Sequence, residues 1–397
     1  MKLFHLSLSV FRGALVLALL FCSPLPAPGL EAGPPGFGIS QGNLVIHPRL
    51  AVRGEYDDNI FLTDRDRKQD LIGILLPGIA LEFPWENNLL VLDYQAWLHY
   101  YLDNTDQNHD DHRIHGRLSL LAAPFSLKLE DTFLKTSSRE DTDYSERVER
   151  IENTARAAIL YLANKFQVQG AYENYLYRYD ERIYRPYDHT EHRGILTGFY
   201  QAAPKTKALL EYTYNRIIYR DNDDRDGYYN EIRAGFIGEV TAKLTGTVKV
   251  GYQERRYRED SVWDDYRGIT GYALLDYIFS PQQELRLAWE RTVQESTFAG
   301  NSYYLLNRAW IYYSRQLAHK IRGYARLQYS NYRYPQSSEI RDEKRRDNIW
   351  QPEIGLKYQI QPWLTAEIKY RYRDRDSNWP DRDYRNNRFY LELSAIY

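Results

Sequence analysis

The sequence predicts an all-β protein, a transmembrane antiparallel up-and-down β-barrel with short periplasmic turns and long extracellular loops. Three observations carry this expectation: an export segment at the N-terminus, a recurring period-two alternation of apolar and polar residues, and connections that alternate between short and long.

The export segment comes first. Lys2 and Arg12 precede an apolar run from Gly13 to Cys22, too short to span a bilayer as a mature helix but suited to a secretory core region. The Pro-rich stretch after it offers Ala27 and Gly29 as a small-x-small pair, so residues 1–29 read as a signal peptide cut near Gly29. Phe21 stands where lipidation of Cys22 would need a small residue, which argues against an acylated anchor. Residues 30–48, rich in Gly and Pro, read as a flexible periplasmic arm, and 49–397 as the barrel.

Composition agrees with that division. With 52 Lys plus Arg against 54 Asp plus Glu, the chain has no basic footprint for nucleic acid and no acidic tail. Its 37 tyrosines are far too many β-favouring rings for a disordered chain. Cys22 is the one cysteine, so no disulfide framework is available.

After Pro48 no stretch reaches the roughly 18 consecutive apolar residues of a membrane helix, so any membrane role falls to strands. From Thr365 to Arg373 the order Thr-Ala-Glu-Ile-Lys-Tyr-Arg-Tyr-Arg sets Ala366, Ile368, Tyr370 and Tyr372 on one face and Glu367, Lys369, Arg371 and Arg373 on the other. The pattern recurs with Val248 and Val250 opposite Lys249, Leu287 and Trp289 opposite Arg286 and Glu290, and Ala325 and Leu327 opposite Arg322 and Arg326.

Eight short connections fall at 84–88, 123–125, 163–165, 203–205, 239–242, 280–283, 317–319 and 361–363. Nine longer ones, rich in Asp, Arg, Asn and Tyr, fall near 58–69, 103–111, 137–149, 179–190, 221–227, 258–265, 298–302, 335–347 and 374–386. Together they imply eighteen strands, with sixteen as the fallback if a weak strand such as 49–57 does not form fully. An even count places both termini in the periplasm.

The last strand carries Phe389, Leu391, Leu393, Ala395 and Tyr397 at alternate positions. This resembles the C-terminal signal read by the barrel assembly machinery, and it implies that machinery and outer-membrane lipid as partners. Tyrosines and tryptophans near strand ends, among them Trp97, Tyr100, Tyr101, Tyr175, Tyr177, Tyr179, Tyr212, Tyr214, Tyr219, Tyr228, Tyr229, Tyr303 and Tyr304, suggest an aromatic girdle.

The opposite face is charged. Lys249, Arg286, Glu290, Arg322, Arg326, Lys357, Glu367, Lys369, Arg371, Arg373, Arg388 and Glu392 are candidate lumen residues, together with Lys128, Glu130, Arg156, Glu211, Arg233 and Glu353. Mutual pairing between neighbouring strands would satisfy most of them. The basic excess from Arg322 to Arg388 would favour anionic solutes, with tyrosine rings as stacking surfaces for sugars.

The segment Tyr56-Asp57-Asp58-Asn59-Ile60-Phe61, followed by Leu76-Pro77-Gly78, resembles the opening of the second family of putative β-barrel porins. That resemblance implies an outer-membrane location in a Gram-negative cell and a conduit for export of a polysaccharide, with a periplasmic export protein as partner. The residues themselves read structurally. Asp57, Asp58 and Asn59 suit a strand turning into a loop, and Pro77 argues for a bulge or bend because it cannot donate to the ladder.

No enzyme is expected, nor a cofactor or a metal. His112 and His115 would face opposite sides of a strand, His109, Asp110 and Asp111 lie at a loop, and His189 and His192 read as loop residues. The Asn222–Gly227 segment has Arg233 where a calcium loop needs its twelfth-position Glu. A general or solute-specific diffusion porin and a non-conducting structural or adhesive barrel stand as alternatives to export.

Overall fold

The structure, a computed structural model, describes residues 38–139, 147–298, 300–338, 341–379 and 382–397. The expected signal peptide, its cleavage point and residues 30–37 of the arm lie outside these residues.

Eighteen strands follow in order: β2 (Leu44–Asp57), β3 (Asp70–Trp85), β4 (Asn88–Tyr101), β5 (His109–Ala122), β6 (Phe125–Thr136), β7 (Arg150–Leu162), β8 (Phe166–Tyr179), β9 (His189–Ala203), β10 (Thr206–Tyr219), β11 (Gly227–Thr241), β12 (Leu244–Tyr257), β13 (Tyr266–Ser280), β14 (Gln283–Glu295), β15 (Tyr303–Ala318), β16 (Ile321–Ser338), β17 (Arg341–Gln361), β18 (Leu364–Ser377) and β19 (Tyr384–Ile396). Each pairs antiparallel with the next. β19 returns to β2, from Arg388 opposite Asp57 to Ile396 opposite Arg49, and closes the barrel. A short strand, β1 (Ile39–Gln41), folds back on the start of β2, which itself begins at Leu44 inside the stretch read as the arm.

Alternation builds the wall. On β18, Ile368 is 58% exposed on the outside while Arg371 is 7% exposed on the inside. On β10, Leu210, Tyr212 and Tyr214 face out and Glu211, Thr213, Asn215 and Ile217 are buried. Eighteen strands spaced ~4.8 Å apart and tilted ~40° enclose a backbone cylinder of roughly 18 Å radius, too wide for wall side chains alone to fill.

All eight short turns fall where the sequence places them. The long connections differ at 335–347: β16 runs on to Ser338 and β17 starts at Arg341, so most of that expected loop is ladder. Inward Tyr332 and Tyr334 pack with Phe298 and Ile349 there, which gives the extended hairpin a core of its own.

The loops are fastened at their roots. The final loop residue, an Asp or Asn, accepts a hydrogen bond from the amide that ends the preceding strand: Tyr101 N to Asn108 Oδ1 at 2.7 Å, Tyr179 N to Asp188 Oδ1 at 2.8 Å, Tyr219 N to Asp226 Oδ1 at 2.7 Å, Tyr257 N to Asp265 Oδ1 at 3.1 Å and Ser377 N to Asp383 Oδ1 at 2.7 Å. A strand-end amide that would otherwise lack a partner is thereby satisfied.

The outer surface has two aromatic levels. Near the short turns, Phe125 packs on Tyr161 (ring centroids 5.3 Å) and Phe166 on Tyr200 (5.0 Å), each directly across the ladder. Nearer the loops, outward tyrosine hydroxyls hydrogen-bond a polar side chain on the next strand: Tyr94 with His112 (2.9 Å), Tyr172 with His192 (2.7 Å), Tyr212 with Asn230 (2.6 Å), Tyr329 with Asn348 (2.9 Å) and Tyr370 with Asn387 (2.7 Å). This belt marks the upper edge of the apolar zone. From Tyr397 to Phe389 the apolar wall of β19 rises roughly 20 Å, at ~3.3 Å per residue and ~40° tilt, near the ~25 Å of an outer-membrane band. Of the girdle expected from sequence, Trp97, Tyr101, Tyr177, Tyr179, Tyr219 and Tyr303 are buried instead, because alternation turns them away from the lipid side.

Candidate functional site: the lumen wall and its seam

The lumen candidates lie on the inner face, and most have a partner there. Lys249 Nζ contacts Glu211 at 2.8 Å, Arg286 contacts Asp276 at 2.8 Å, and Glu290 receives Arg308 at 3.3 Å. Glu173 takes Arg193 at 2.8 Å and Arg156 at 3.4 Å, Arg233 reaches Glu231 at 2.7 Å, and Lys128 reaches Glu130 at 3.0 Å. One of these contacts, Lys249 to Glu211, skips a strand, which the curvature of a closed wall permits. On this side, from β6 to β15, acids and bases balance.

From β16 through β19 to β2 the balance tips. Lys369, Arg371, Arg373 and Arg375 occupy successive inward positions of one strand, β18, and climb the wall as a column. Arg371 pairs with Glu353 at 2.7 Å, while Asp347 serves both Arg375 at 2.5 Å and Arg345 at 2.7 Å. The Lys369 ammonium sits 4.3 Å from the Tyr390 ring centroid, and Arg373 lies 5.6 Å from that of Tyr384. Alongside, Arg322 donates to Ser314 Oγ at 3.0 Å, Arg326 to Gln328 Oε1 at 2.8 Å, and Lys357 lies 3.6 Å from Glu367, which also accepts from the Tyr324 hydroxyl. Cations on this sector outnumber the carboxylates that serve them. Arg53 on β2, which donates to Glu392 through Nε at 2.8 Å, belongs to it too, outside the stretch from Arg322 to Arg388 where the sequence shows its basic excess.

The opening segment, residues 56–61, begins at the seam where β19 meets β2. Asp57 accepts from the Asn59 amide (2.8 Å) and from Asn386 Nδ2 (2.5 Å), and it forms an ion pair with Arg388, whose Nε lies 2.9 Å away and donates to Asn386 Oδ1. Asp58 accepts from the Asn387 amide and its Nδ2, both at 2.6 Å. Asn59 donates to Thr63 O (2.7 Å) and across the seam to Arg385 O (2.9 Å). Tyr56 packs outside against Phe389. Leu391, Leu393 and Tyr397 share that outward face of β19 or follow it, all exposed.

Pro77 sits in the ladder without a bulge, contrary to expectation. β3 and β4 pair up to Leu75–Leu98 and resume at Gly78–Gln95 in the same register. The Gln95 side chain fills the interruption, donating to Pro77 O at 2.9 Å and Ala96 O at 3.1 Å. Gly78 leaves it room: a β-carbon there would come within 2.6 Å of Gln95 Oε1.

Part of the inner wall is apolar, which the alternation did not foretell. Ile72, Ile74 and Leu76 on β3 and Trp97 on β4 face inward, covered by Ile60 from the loop after β2. Above the wall, four loops meet at Arg225. Its guanidinium donates to Ser296 O at 2.8 Å and to Asn301 O, and lies 5.1 to 5.4 Å from the ring centroids of Tyr187, Tyr219 and Trp263.

Among the described residues no three His, Cys, Asp or Glu side chains gather as a metal site. His112 faces Tyr94 on the outside, whereas His109 contacts His99 and Arg147, and His115 contacts Thr132. In the former calcium-loop candidate, Asp223 pairs with Arg258 and Asp226 caps Tyr219.

Solved barrels of similar shape include OpdO of Pseudomonas aeruginosa, at 13% identity over 88% of this chain and 97% of that one, with a TM-score of 0.50. OpdK of the same organism (11% identity, 89% and 99% covered, TM-score 0.48) and a BenF-like porin from Pseudomonas fluorescens Pf-5 (10%, 89% and 99%, 0.49) are also similar. At 13% identity the likeness to OpdO speaks for fold alone. No curated protein matches the sequence. The family model described as Putative beta-barrel porin 2 matches residues 34–397, nearly the whole barrel and both strands of its seam, and the chain belongs to that family of outer-membrane β-barrel porins.

Proposed function

We propose that the protein is a diffusion channel selective for small anionic solutes. The observation that carries this reading is the β18 column of Lys369, Arg371, Arg373 and Arg375, set in a wall where bases exceed acids and flanked by Tyr384 and Tyr390. Fixed cations in a confined aqueous path raise the local concentration of anions, and guanidinium forks match carboxylate geometry. The test is reversal potential in planar bilayers under a salt gradient. Anion preference is expected, and a Lys369→Glu, Arg373→Glu double variant should move the potential toward cation preference. A wild-type barrel that conducts nothing or prefers cations would refute the proposal.

Export of a polysaccharide, implied by the resemblance of the opening segment, is the second reading. Half-buried inward rings on β15, Trp310 and Tyr312, support it, since sugars stack on accessible aromatic faces. Deleting the gene without any change in surface polysaccharide would remove it.

A further inference from the structure

We propose that the outer face of β10 to β13, immediately above the tyrosine belt, binds the phosphorylated headgroup of an outer-leaflet glycolipid. Arg216, Arg256 and Arg267 are exposed, and each neighbours a buried inward residue: Ile217, Arg255 and Tyr266. They therefore point away from the lumen, which separates this surface from the proposed solute path.

Strand register sets them side by side. Arg216 stands opposite Tyr228 across β10 and β11, and Tyr228 stands opposite Arg256 across β11 and β12. Arg267 on β13 stands opposite Glu254, one outward position below Arg256. Glu254 is shared, at 2.7 Å from Arg256 and 2.8 Å from Arg267. Arg216 has no ion-pair partner among the described residues. Three guanidiniums around one carboxylate leave a net positive surface. Elsewhere at the outer rim Arg385 pairs with Asp374 at 3.2 Å, and Lys135 pairs with Glu149, both locally neutral.

The height fits a headgroup. Arg216 lies two outward positions above Tyr212, whose hydroxyl bonds Asn230 in the belt, so the arginines stand where the hydrocarbon ends. Tyr228, level with Arg216 and Arg256, contacts Tyr214 one outward position beneath (ring centroids 6.1 Å), an amphipathic ledge against which acyl chains and a sugar can rest. Arginine forks bind phosphate oxygens bidentately, and a row of cations facing a polyanionic leaflet gains further from its surface potential.

The experiment is native mass spectrometry of the full-length protein extracted from outer membranes, followed by titration with lipopolysaccharide, phosphatidylglycerol or inorganic phosphate. The wild type should retain phosphorylated glycolipid, and the Arg216→Gln, Arg256→Gln, Arg267→Gln triple variant should bind it about 100-fold more weakly. The corresponding triple Lys variant should keep most of the binding, and Arg385→Gln should leave it unchanged. If the triple Gln barrel does not fold, as judged by heat-modifiable mobility, the single Arg216→Gln variant replaces it, with several-fold loss expected. Unchanged glycolipid binding in the Gln variant overturns the proposal. So does equal affinity for phosphatidylglycerol or for inorganic phosphate, either of which would mean a general attraction of anions.

Discussion

Replacing Asp57 by Ala tests the seam at its most connected group. Asp57 is 2% exposed, and its carboxylate accepts from Asn59 N and Asn386 Nδ2 and pairs with the Arg388 guanidinium. Losing a carboxylate from a buried charged pair costs about 3–5 kcal/mol when the remaining charge has no other partner. Arg388 retains Glu55 at 3.2 Å, which moves the expectation to the low end, while the lost turn-capping bond to Asn59 adds about 1 kcal/mol. The net expectation is about 3–4 kcal/mol. Asp58→Ala provides the internal comparison. Its bonds come from neutral donors, two on Asn387 and a longer one from Asn386, in a partly exposed setting, so its loss should cost about 1–2 kcal/mol. The assay is urea titration of the barrel folded in lipid vesicles, followed by tryptophan fluorescence at matched lipid ratio. If Asp57→Ala falls within about 1 kcal/mol of wild type, or if Asp58→Ala costs as much, the seam is not held in the way its contacts suggest.

Two further predictions follow from local geometry. Gly78→Ala should expel the Gln95 amide from the Pro77 gap and cost about 1–2 kcal/mol, and Gln95→Ala should add little in that background, as a double-mutant cycle in the same assay would register. Burial pushes the Asp188 carboxyl above its ordinary value of 3.8, so the folded state holds this proton more tightly and stability falls as pH rises from 3.8 through the raised value. Asp188→Asn keeps an acceptor for the Tyr179 amide without a charge to bury. It should be at least as stable as wild type at neutral pH and lack that pH slope, read by unfolding midpoints across the acid range.

What the sequence made legible was whatever repeats at short range. Strand number, the eight tight turns and the inward column on β18 all follow from a period of two and from turn residues, which need no knowledge of distant neighbours. β3 shows the limit. Its run Leu71-Ile72-Gly73-Ile74-Leu75-Leu76 is apolar on both faces, so alternation could not say that Ile72, Ile74 and Leu76 face a lumen roofed by Ile60. The seam was half readable: Asp57 and Asp58 announced a strand end, but their partners Asn386 and Asn387 lie more than three hundred residues away and carry no local mark. Arg225 was hidden for the same reason. In sequence it is one charge in an acidic loop, and only the closure of the barrel brings Ser296, Asn301 and three rings around it.

The Asp and Asn residues that end the loops have a bearing on how such a protein changes over time. Because each of those hairpins ties its own strand-end amide to its own last loop residue, the chain between the two tie points can lengthen, shorten or change composition while the register beneath it stays fixed. Selection for new surface contacts, or escape from an agent that recognises the cell surface, can act on one loop at a time without renegotiating the barrel. The same independence marks the largely exposed stretch between Tyr101 and Asn108, which takes no part in the junction at Arg225, as a place where a foreign peptide could be displayed.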